Sequence, residues 1–210
     1  MQDVLEQLKA GIRQFQTTVY PEQAEMYRKA VSVPQEPHTL FVACADSRIE
    51  PETITQTKPG ELFVLRNIGN LIPAYGEMMG GVSAVVEYAV TLLKVKHVVV
   101  CGHADCGAMK GLLAPDSVTA MPAVKNWLKN AATAMSVAEA LGAKDEAPEA
   151  LMRSVTEQNV LLQIHHLRTH PSVAAAMARG ELTISGWVYE IGTGEVRISA
   201  GGSNEFVPVA

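Results

Sequence analysis

The 210-residue sequence predicts an α/β fold: a central, mostly parallel sheet of four strands plus an antiparallel edge strand, flanked by helices, with an N-terminal helical arm. Three observations predict this fold. Short apolar runs recur along the chain, as in strands that are buried on both faces of a sheet. Helical segments separate the earlier runs, which favours parallel strands joined by helical crossovers. A glycine-rich loop joins the last two runs and indicates an antiparallel hairpin.

The N-terminal arm is predicted to contain two helices. Apolar residues recur at helical spacing over residues 2–15. Pro21 then begins a second predicted helix, because proline suits the first positions of a helix. Two prolines within residues 33–37 disfavour helix in the residue before each and indicate an extended linker. We therefore expect a single domain overall, divided into an arm at 1–33 and an α/β domain at 34–210.

The α/β domain is predicted to alternate strands with helices. The apolar runs that predict its strands are residues 39–43, 62–65, 97–101, 182–189 and 195–198. The helical patterns cover residues 81–93, 122–140 and 149–168, with a shorter helix from Pro171 that Gly180 ends. The helix predicted at residues 81–93 consists mostly of small and apolar side chains, so we expect it to be largely buried.

Composition and charge exclude several classes of function. Hydrophobic residues make up 48% of the chain and charged residues 19%, a balance typical of a globular protein. The net charge is -5 and no basic stripe is present, which argues against a nucleic acid partner. The N-terminus lacks a signal-peptide pattern, and no apolar run approaches the roughly 20 residues of a membrane span. We expect a cytoplasmic protein without membrane contact.

Two of the predicted strands end in loops rich in reactive side chains. Cys44, Asp46 and Arg48 follow the first strand, and His103 and Cys106 follow the third. Ligands of open parallel sheets bind beyond the carboxyl ends of the strands. Neighbouring strands lie about 5 Å apart, so both loops can converge on one ion.

Two thiolates and an imidazole suit Zn²⁺, a borderline-soft ion. We predict Cys44, His103 and Cys106 as its ligands, and three protein ligands leave the open fourth position that is typical of a catalytic site. Asp46 could be the fourth ligand, or it could accept a hydrogen bond from a zinc-bound water. A bidentate pair with Arg48 would hold the carboxylate off the metal. A switch between these two states would make activity depend on pH.

The remaining cysteine and histidines have simpler interpretations. Cys101 lies within a strand, where a lone cysteine usually behaves as a small hydrophobe. Asp105 is interpreted as a loop or capping residue rather than a ligand. Surface or packing roles are expected for His38, His97, His165, His166 and His170.

From about Pro34 to Val196 the sequence resembles the β-class carbonic anhydrases. The segment from Cys44 to Arg48 is similar to the family's Cys-x-Asp-Ser-Arg motif, and the segment from His103 to Gly107 is similar to its His-x-x-Cys-Gly motif. Intervening segments at residues 59–67 and 87–90, and a later one at 184–187, follow in the family's order.

This resemblance implies reversible hydration of carbon dioxide to bicarbonate by a zinc-bound hydroxide. It implies Asp46 and Arg48 as a catalytic dyad beside the three zinc ligands. The residues that would line the substrate pocket by this resemblance are Gln35, Phe63, Ile68, Tyr88 and the backbone of Gly107. It also implies a homodimer or a higher homo-oligomer, in which Gln35, Phe63 and Tyr88 serve the partner's zinc and the arm embraces the second subunit.

One position distinguishes two groups within the family. Members that bind bicarbonate as an inhibitor at a second site carry a tryptophan three residues before the first zinc cysteine, where this sequence has Phe41. The sequence therefore resembles the plant-like group.

Two alternatives remain open from the sequence. A hydrolase of carbonyl sulfide or carbon disulfide would use the same scaffold and the same zinc chemistry. A non-catalytic zinc or redox-sensing module would instead close the metal site or hold a reactive cysteine pair.

Overall fold

The computed structural model describes residues 3–77, 80–142, 147–200 and 203–209. These residues form two compact units, one that ends at Glu36 and one that begins at Pro37. None of the helices within those ranges is both long and apolar enough to cross a membrane.

The first unit is helical. Helix α1 covers Val4–Gln14, a π-helical turn covers Phe15–Val19, and α2 covers Tyr20–Ser32. Asp3 caps α1, because its side chain accepts a hydrogen bond from the backbone N–H of Leu5 at 3.0 Å.

The two arm helices run into each other, rather than being separated before Pro21 as the sequence suggests. The widened turn explains this difference. Proline has no N–H to donate, and its ring clashes with the carbonyl one turn earlier in a regular helix. In the π turn the N–H of Tyr20 reaches back five residues to the carbonyl of Phe15, so the chain passes the proline without breaking.

The second unit is built on a six-stranded sheet in the order β2-β1-β3-β4-β5-β6. The strands are β1 Thr39–Cys44, β2 Leu62–Asn67, β3 His97–His103, β4 Thr183–Tyr189, β5 Val196–Ala200 and β6 Val207–Pro208. The first four are parallel to one another, and β5 is antiparallel to β4. The predicted fold class is therefore confirmed, including the terminal hairpin. The short strand β6, which pairs with β5, is an addition that the sequence did not indicate.

The strand order places a switch point between β1 and β3. After β1 the chain crosses to β2 on one side, and it then returns to β3 on the other side of β1. The crevice outside the carboxyl ends of two such strands is the usual ligand site of an open α/β sheet. Here those ends carry Cys44 and His103.

Helices lie between the first four strands in the sequence. They are α3 Pro51–Thr55, α4 Gly81–Glu87, α5 Gly107–Leu113, α6 Pro122–Trp127, α7 Ala132–Ala140, α8 Pro148–Arg168 and α9 Pro171–Ala178. The long helix α8 packs against β3 and β4, where an added Cβ on Gly102 would lie 2.8 Å from Val160. This close approach requires glycine in β3. Gly180 follows α9 with φ +70°, as predicted for a helix end.

Two helical segments differ from the expectation. Helix α4 continues as a π-helical turn, Tyr88–Leu92, and both of these end residues are exposed, although a largely buried helix was expected. The face that carries Val86 and Ala89 belongs to the hydrophobic core together with residues of the sheet, so only one side of this segment is buried.

The stretch 122–140 is interrupted by a 3₁₀ turn, Leu128–Ala131. The Asn130 side chain donates to the Trp127 carbonyl at 2.9 Å, and the Asn130 carbonyl accepts from Gln163 at 3.1 Å. These bonds compete with the regular helix ladder.

Candidate metal centre

Three side chains meet beyond the carboxyl ends of β1 and β3. Among the described residues, Cys44, His103 and Cys106 offer ligand atoms that all lie within 4.8 Å of one another. All three side chains are buried. The structure therefore brings together the three residues that the sequence predicts as ligands.

Secondary structure fixes the position of each of these residues. Cys44 is the last residue of β1 and His103 the last residue of β3, and these two strands pair in parallel. Cys106 caps the start of α5. Only two residues separate His103 from Cys106, and Asp105 between them adopts a left-handed conformation with φ +59°. The resulting tight turn returns the chain toward β1.

The imidazole of His103 is oriented by one hydrogen bond. Its Nδ1 lies 2.8 Å from the carbonyl oxygen of Ala104, so Nδ1 carries the proton and donates it. The Nε2 atom then presents a lone pair. This atom is buried and has no hydrogen-bond partner among the described residues. Buried polar atoms are normally paired, so an unpaired acceptor beside two thiols indicates a missing electrophile.

The two cysteine sulfurs lie 4.0 Å apart. The hydrogen bond from the Cys106 thiol lowers the pKa of Cys44 to about 4, and backbone N–H groups such as that of Gly69 contribute to this shift. The same hydrogen bond and burial raise the pKa of Cys106. Cys106, as the hydrogen-bond donor, therefore stabilises the thiolate form of Cys44.

The donor set fits a zinc ion. At a Zn–S distance of about 2.3 Å, tetrahedral geometry separates two sulfurs by roughly 3.8 Å. The observed separation of 4.0 Å is close to this value. The three residues would supply two thiolates and a neutral imidazole, and a fourth position would be left open.

Asp46 and Arg48 form a bidentate pair beside this cluster. Arg48 Nε donates to Asp46 Oδ1 at 2.9 Å, and an Arg48 terminal nitrogen donates to Oδ2 at 2.8 Å. The backbone N–H of Arg48 also donates to Oδ1, at 3.0 Å. These hydrogen bonds hold the pKa of the Asp46 carboxyl well below its usual range. Asp46 Oδ2 lies 4.0 Å from His103 Nε2, so the ionised carboxylate faces the cluster.

Arg66 on β2 supports this loop, a role that the sequence interpretation missed. Its Nε donates to the carbonyl of Cys44 at 3.0 Å, and a terminal nitrogen donates to the carbonyl of Asp46 at 2.6 Å. The parallel register places Arg66 opposite Ala43. A basic residue near the end of a neighbouring strand is the only sequence signal of this contact.

A buried amide network connects α8 to the loop after β2. Gln163 accepts from the backbone N–H of Ile72 at 2.7 Å and donates to Asn159 at 2.9 Å. Asn159 in turn donates to the carbonyl of Gly69 at 3.2 Å. Because the backbone N–H of Gly69 donates a hydrogen bond to the Cys44 sulfur, this network helps to position the cluster of Cys44, His103 and Cys106 from a distant helix.

The predicted pocket residues are divided between several parts of the chain. Gly107 opens α5 directly after Cys106, and Ile68 lies exposed in the 3₁₀ turn after β2. Phe63 and Tyr88 stack on each other with ring centroids 5.9 Å apart.

Phe63 pairs with Leu40, four residues before the Cys44–Asn67 pair, so it lies about 13 Å from the site along the strand. Gln35 is exposed in the first unit. Their roles in binding stay predictions.

The other expected packing residues behave as structural groups. Burial raises the pKa of Cys101 to about 12, which suits a small hydrophobe in the sheet. His97 bonds to two hydroxyl groups of β4, and His166 and His170 bond to backbone carbonyls. Asp105 is more than a loop residue, because its carboxylate accepts a hydrogen bond from Arg48 at 3.0 Å.

Comparisons with known proteins agree with this geometry. The family model described as "Carbonic anhydrase" matches residues 39–196. The carbonic anhydrase of Pseudomonas aeruginosa is 43% identical over 210 residues, which cover 100% of this chain and 92% of that protein. Carbonic anhydrase 1 of Escherichia coli O157:H7 is 41% identical over 200 residues, with 95% and 90% coverage.

Solved structures of the same kind share the fold. The β-carbonic anhydrase CcaA superposes with a TM-score of 0.93 at 35% identity and covers 98% of this chain and 92% of that one. A structure from a report on two tetrameric β-carbonic anhydrases of Sordaria macrospora gives a TM-score of 0.81 at 27% identity, with 100% coverage of both chains.

Proposed function

Because this chain belongs to the β-carbonic anhydrase family, we propose that it hydrates carbon dioxide reversibly to bicarbonate at a zinc ion held by Cys44, His103 and Cys106. Family membership makes the chain an enzyme, and carbon dioxide hydration is the general activity of the family. Membership therefore favours a catalytic site over a purely structural or redox-sensing zinc module.

One observation carries the proposal of a metal at this site. His103 Nε2 is buried without a hydrogen-bond partner among the described residues, and the sulfurs of Cys44 and Cys106 lie beside it. An imidazole lone pair and two cysteine sulfurs at this separation suit a divalent ion such as zinc.

Zinc, when bound, supplies Lewis acidity that brings the pKa of water toward 7, a figure measured on carbonic anhydrases with three histidine ligands. The residues beside the metal would orient the reacting group. The Asp46 carboxylate is ionised and faces the cluster. It can therefore accept a hydrogen bond from a group bound there and so orient that group. Arg48 keeps this carboxylate in place through two side-chain hydrogen bonds.

The assembly that we propose is a homodimer or a larger homo-oligomer in which the arm at 1–33 packs on a second copy of the domain at 34–210. Helix α1 buries none of its residues, although Leu5, Leu8 and Ile12 lie on one apolar face. In α2 only Ala24 is buried. An apolar helix face of this length normally meets a partner surface.

A stopped-flow assay tests the function. The purified protein should carry one zinc per chain by mass spectrometry and should hydrate carbon dioxide between pH 7 and 9. Removing the metal with a chelator should abolish the activity, and added zinc should restore it. An absence of chelator-sensitive hydration would refute the proposal. Activity on carbonyl sulfide or carbon disulfide alone would instead assign the site to the sulfur analogues.

A further inference from the structure

Arg48 is shared between two carboxylates that belong to different loops. Its Nε and one terminal nitrogen donate to Asp46, at 2.9 and 2.8 Å. Its other terminal nitrogen donates to Asp105 Oδ2 at 3.0 Å. Asp46 follows β1, whereas Asp105 lies between His103 and Cys106. The guanidinium therefore connects the two loops that supply the metal cluster.

Asp105 is held from both sides. Lys110 on α5 forms an ion pair with its Oδ1, while Arg48 occupies Oδ2. The two cations thus use different oxygens and do not compete. The left-handed backbone of Asp105 directs this side chain, and aspartate tolerates that conformation better than most residues. The result is a chain of alternating charges that runs from Lys110 through Asp105 and Arg48 to Asp46.

We propose that Asp105 is a positioning residue for the hydration reaction. A guanidinium is a rigid planar fork, so fixing one terminal nitrogen fixes the direction of the other donors. With Asp105 on one terminal nitrogen, the remaining two donors of Arg48 stay aligned with the Asp46 carboxylate. Lys110 assists by holding Asp105. This inference rests on the proposed function, because it concerns the dyad beside the same metal site.

A simpler explanation would be that Asp105 only ties the start of α5 through Lys110. That role would be independent of Arg48 and would affect stability rather than turnover. The two explanations differ in whether Arg48 must be present for Asp105 to matter. A double-mutant cycle measures this dependence directly.

The variants must preserve the left-handed backbone at position 105. Asp105→Gly keeps that conformation and removes the carboxylate acceptor, although the backbone carbonyl that Arg48 also reaches at 3.4 Å remains. Asp105→Asn keeps the conformation while removing the charge. Glu181→Gln is the matched control. It breaks the Arg179–Glu181 pair, which has a similar distance of 2.8 Å and similar exposure, 58% and 55% against 45% and 53% for Arg48 and Asp105.

The expected losses are modest, since both side chains are about half exposed. Solvent screens exposed pairs of this kind, so kcat/KM should fall only about fivefold in Asp105→Gly and about twofold in Asp105→Asn. The Glu181→Gln control should stay at the wild-type value. Zinc content and melting temperature should match the wild type in all three.

The decisive comparison uses Arg48→Lys, in which an ammonium replaces the planar guanidinium. In that background Asp105→Gly should cause no further loss of kcat/KM. An additional fivefold loss there, or an equal loss in the Glu181→Gln control, would overturn the positioning role.

A readout independent of turnover separates this inference from the proposed function. The Nε–H proton of Arg48, assigned by its disappearance in Arg48→Lys, should exchange with solvent faster in Asp105→Gly than in the wild type by ¹⁵N-resolved NMR. An unchanged exchange rate would refute the inference. This measurement stands even if the wild-type enzyme fails to hydrate carbon dioxide, an outcome that would refute the proposed function alone.

Discussion

Replacing Asp46 with asparagine removes one charge and changes few atoms. Asp46 Oδ1 accepts two N–H groups of Arg48, from the backbone at 3.0 Å and from Nε at 2.9 Å. The asparagine oxygen must occupy this position, because the amide NH₂ would otherwise face two donors. The NH₂ group then replaces Oδ2, the oxygen that lies 4.0 Å from His103 Nε2. The variant therefore presents a donor to the metal cluster where the wild type presents an acceptor.

The magnitude follows from these contacts. One hydrogen bond, from the terminal nitrogen of Arg48 at 2.8 Å, is lost. Because the Arg48 side chain is 45% exposed, solvent screens this contact and the free energy of unfolding should change little. Removing a positioned proton acceptor usually costs about 10²–10⁴ in rate. We therefore expect kcat/KM to fall by roughly that factor while the fold and the metal are kept.

Stopped-flow hydration of carbon dioxide at pH 8, with zinc content measured on the same sample, tests Asp46→Asn. The control is Asp116→Asn, which changes an exposed aspartate in the 3₁₀ turn Pro115–Val118 and should leave the rate unchanged. Activity within threefold of the wild type would show that Asp46 is not the acceptor. Loss of zinc would show instead that Asp46 is a ligand that closes the site.

Four further outcomes are expected. Cys106→Ser should lose the metal, and retention of one zinc per chain by mass spectrometry would contradict the ligand set. Gln163→Leu should lower the free energy of unfolding by about 2–5 kcal/mol in urea, since it leaves buried partners unpaired, whereas Gln158→Leu on the same helix should change it little. Leu8→Asp should dissociate the oligomer in analytical ultracentrifugation. Because Arg48 lowers the pKa of Asp46, stabilisation by their pair should be complete above the usual carboxyl range and should disappear only as the pH falls through the lowered pKa, so the melting curves of the wild type and Asp46→Asn should converge in strong acid.

The cluster of Cys44, His103 and Cys106 could be predicted from the sequence because each of these residues lies at or just after the end of an apolar run. Such runs predict buried parallel strands, and parallel strands bring their carboxyl ends to one edge. No long-range information was needed beyond the order of the strands. Cys44 and His103 then had to lie near each other, and Cys106 follows His103 within one tight turn.

The supporting residues could not be predicted in the same way. Arg66 reaches the loop only because the register places it opposite Ala43, and a shift of one residue would point its side chain to the other face. Gln163 meets Ile72 across 91 residues of sequence. The part played by Asp105 depends on a left-handed φ angle that no local pattern specifies. Strand β6, with two residues, is too short to give a periodic signal.

The sequence left open whether Asp46 is a fourth metal ligand or accepts a hydrogen bond from the group at the fourth position. The geometry favours the hydrogen-bonding role. An ionised carboxylate has about four lone-pair sites. Among the described residues, Arg48 uses two on Oδ1 and one on Oδ2, which leaves one site free on the oxygen nearest His103. Asp46 can therefore accept one more hydrogen bond from a group at the cluster without breaking any bond to Arg48. Direct ligation of the metal by Asp46 would instead draw the carboxylate away from the Arg48 guanidinium. Two charge-assisted hydrogen bonds would then be lost. The hydrogen-bonded arrangement keeps every partner satisfied, so we propose it as the resting state at pH values where Asp46 and Arg48 are both charged.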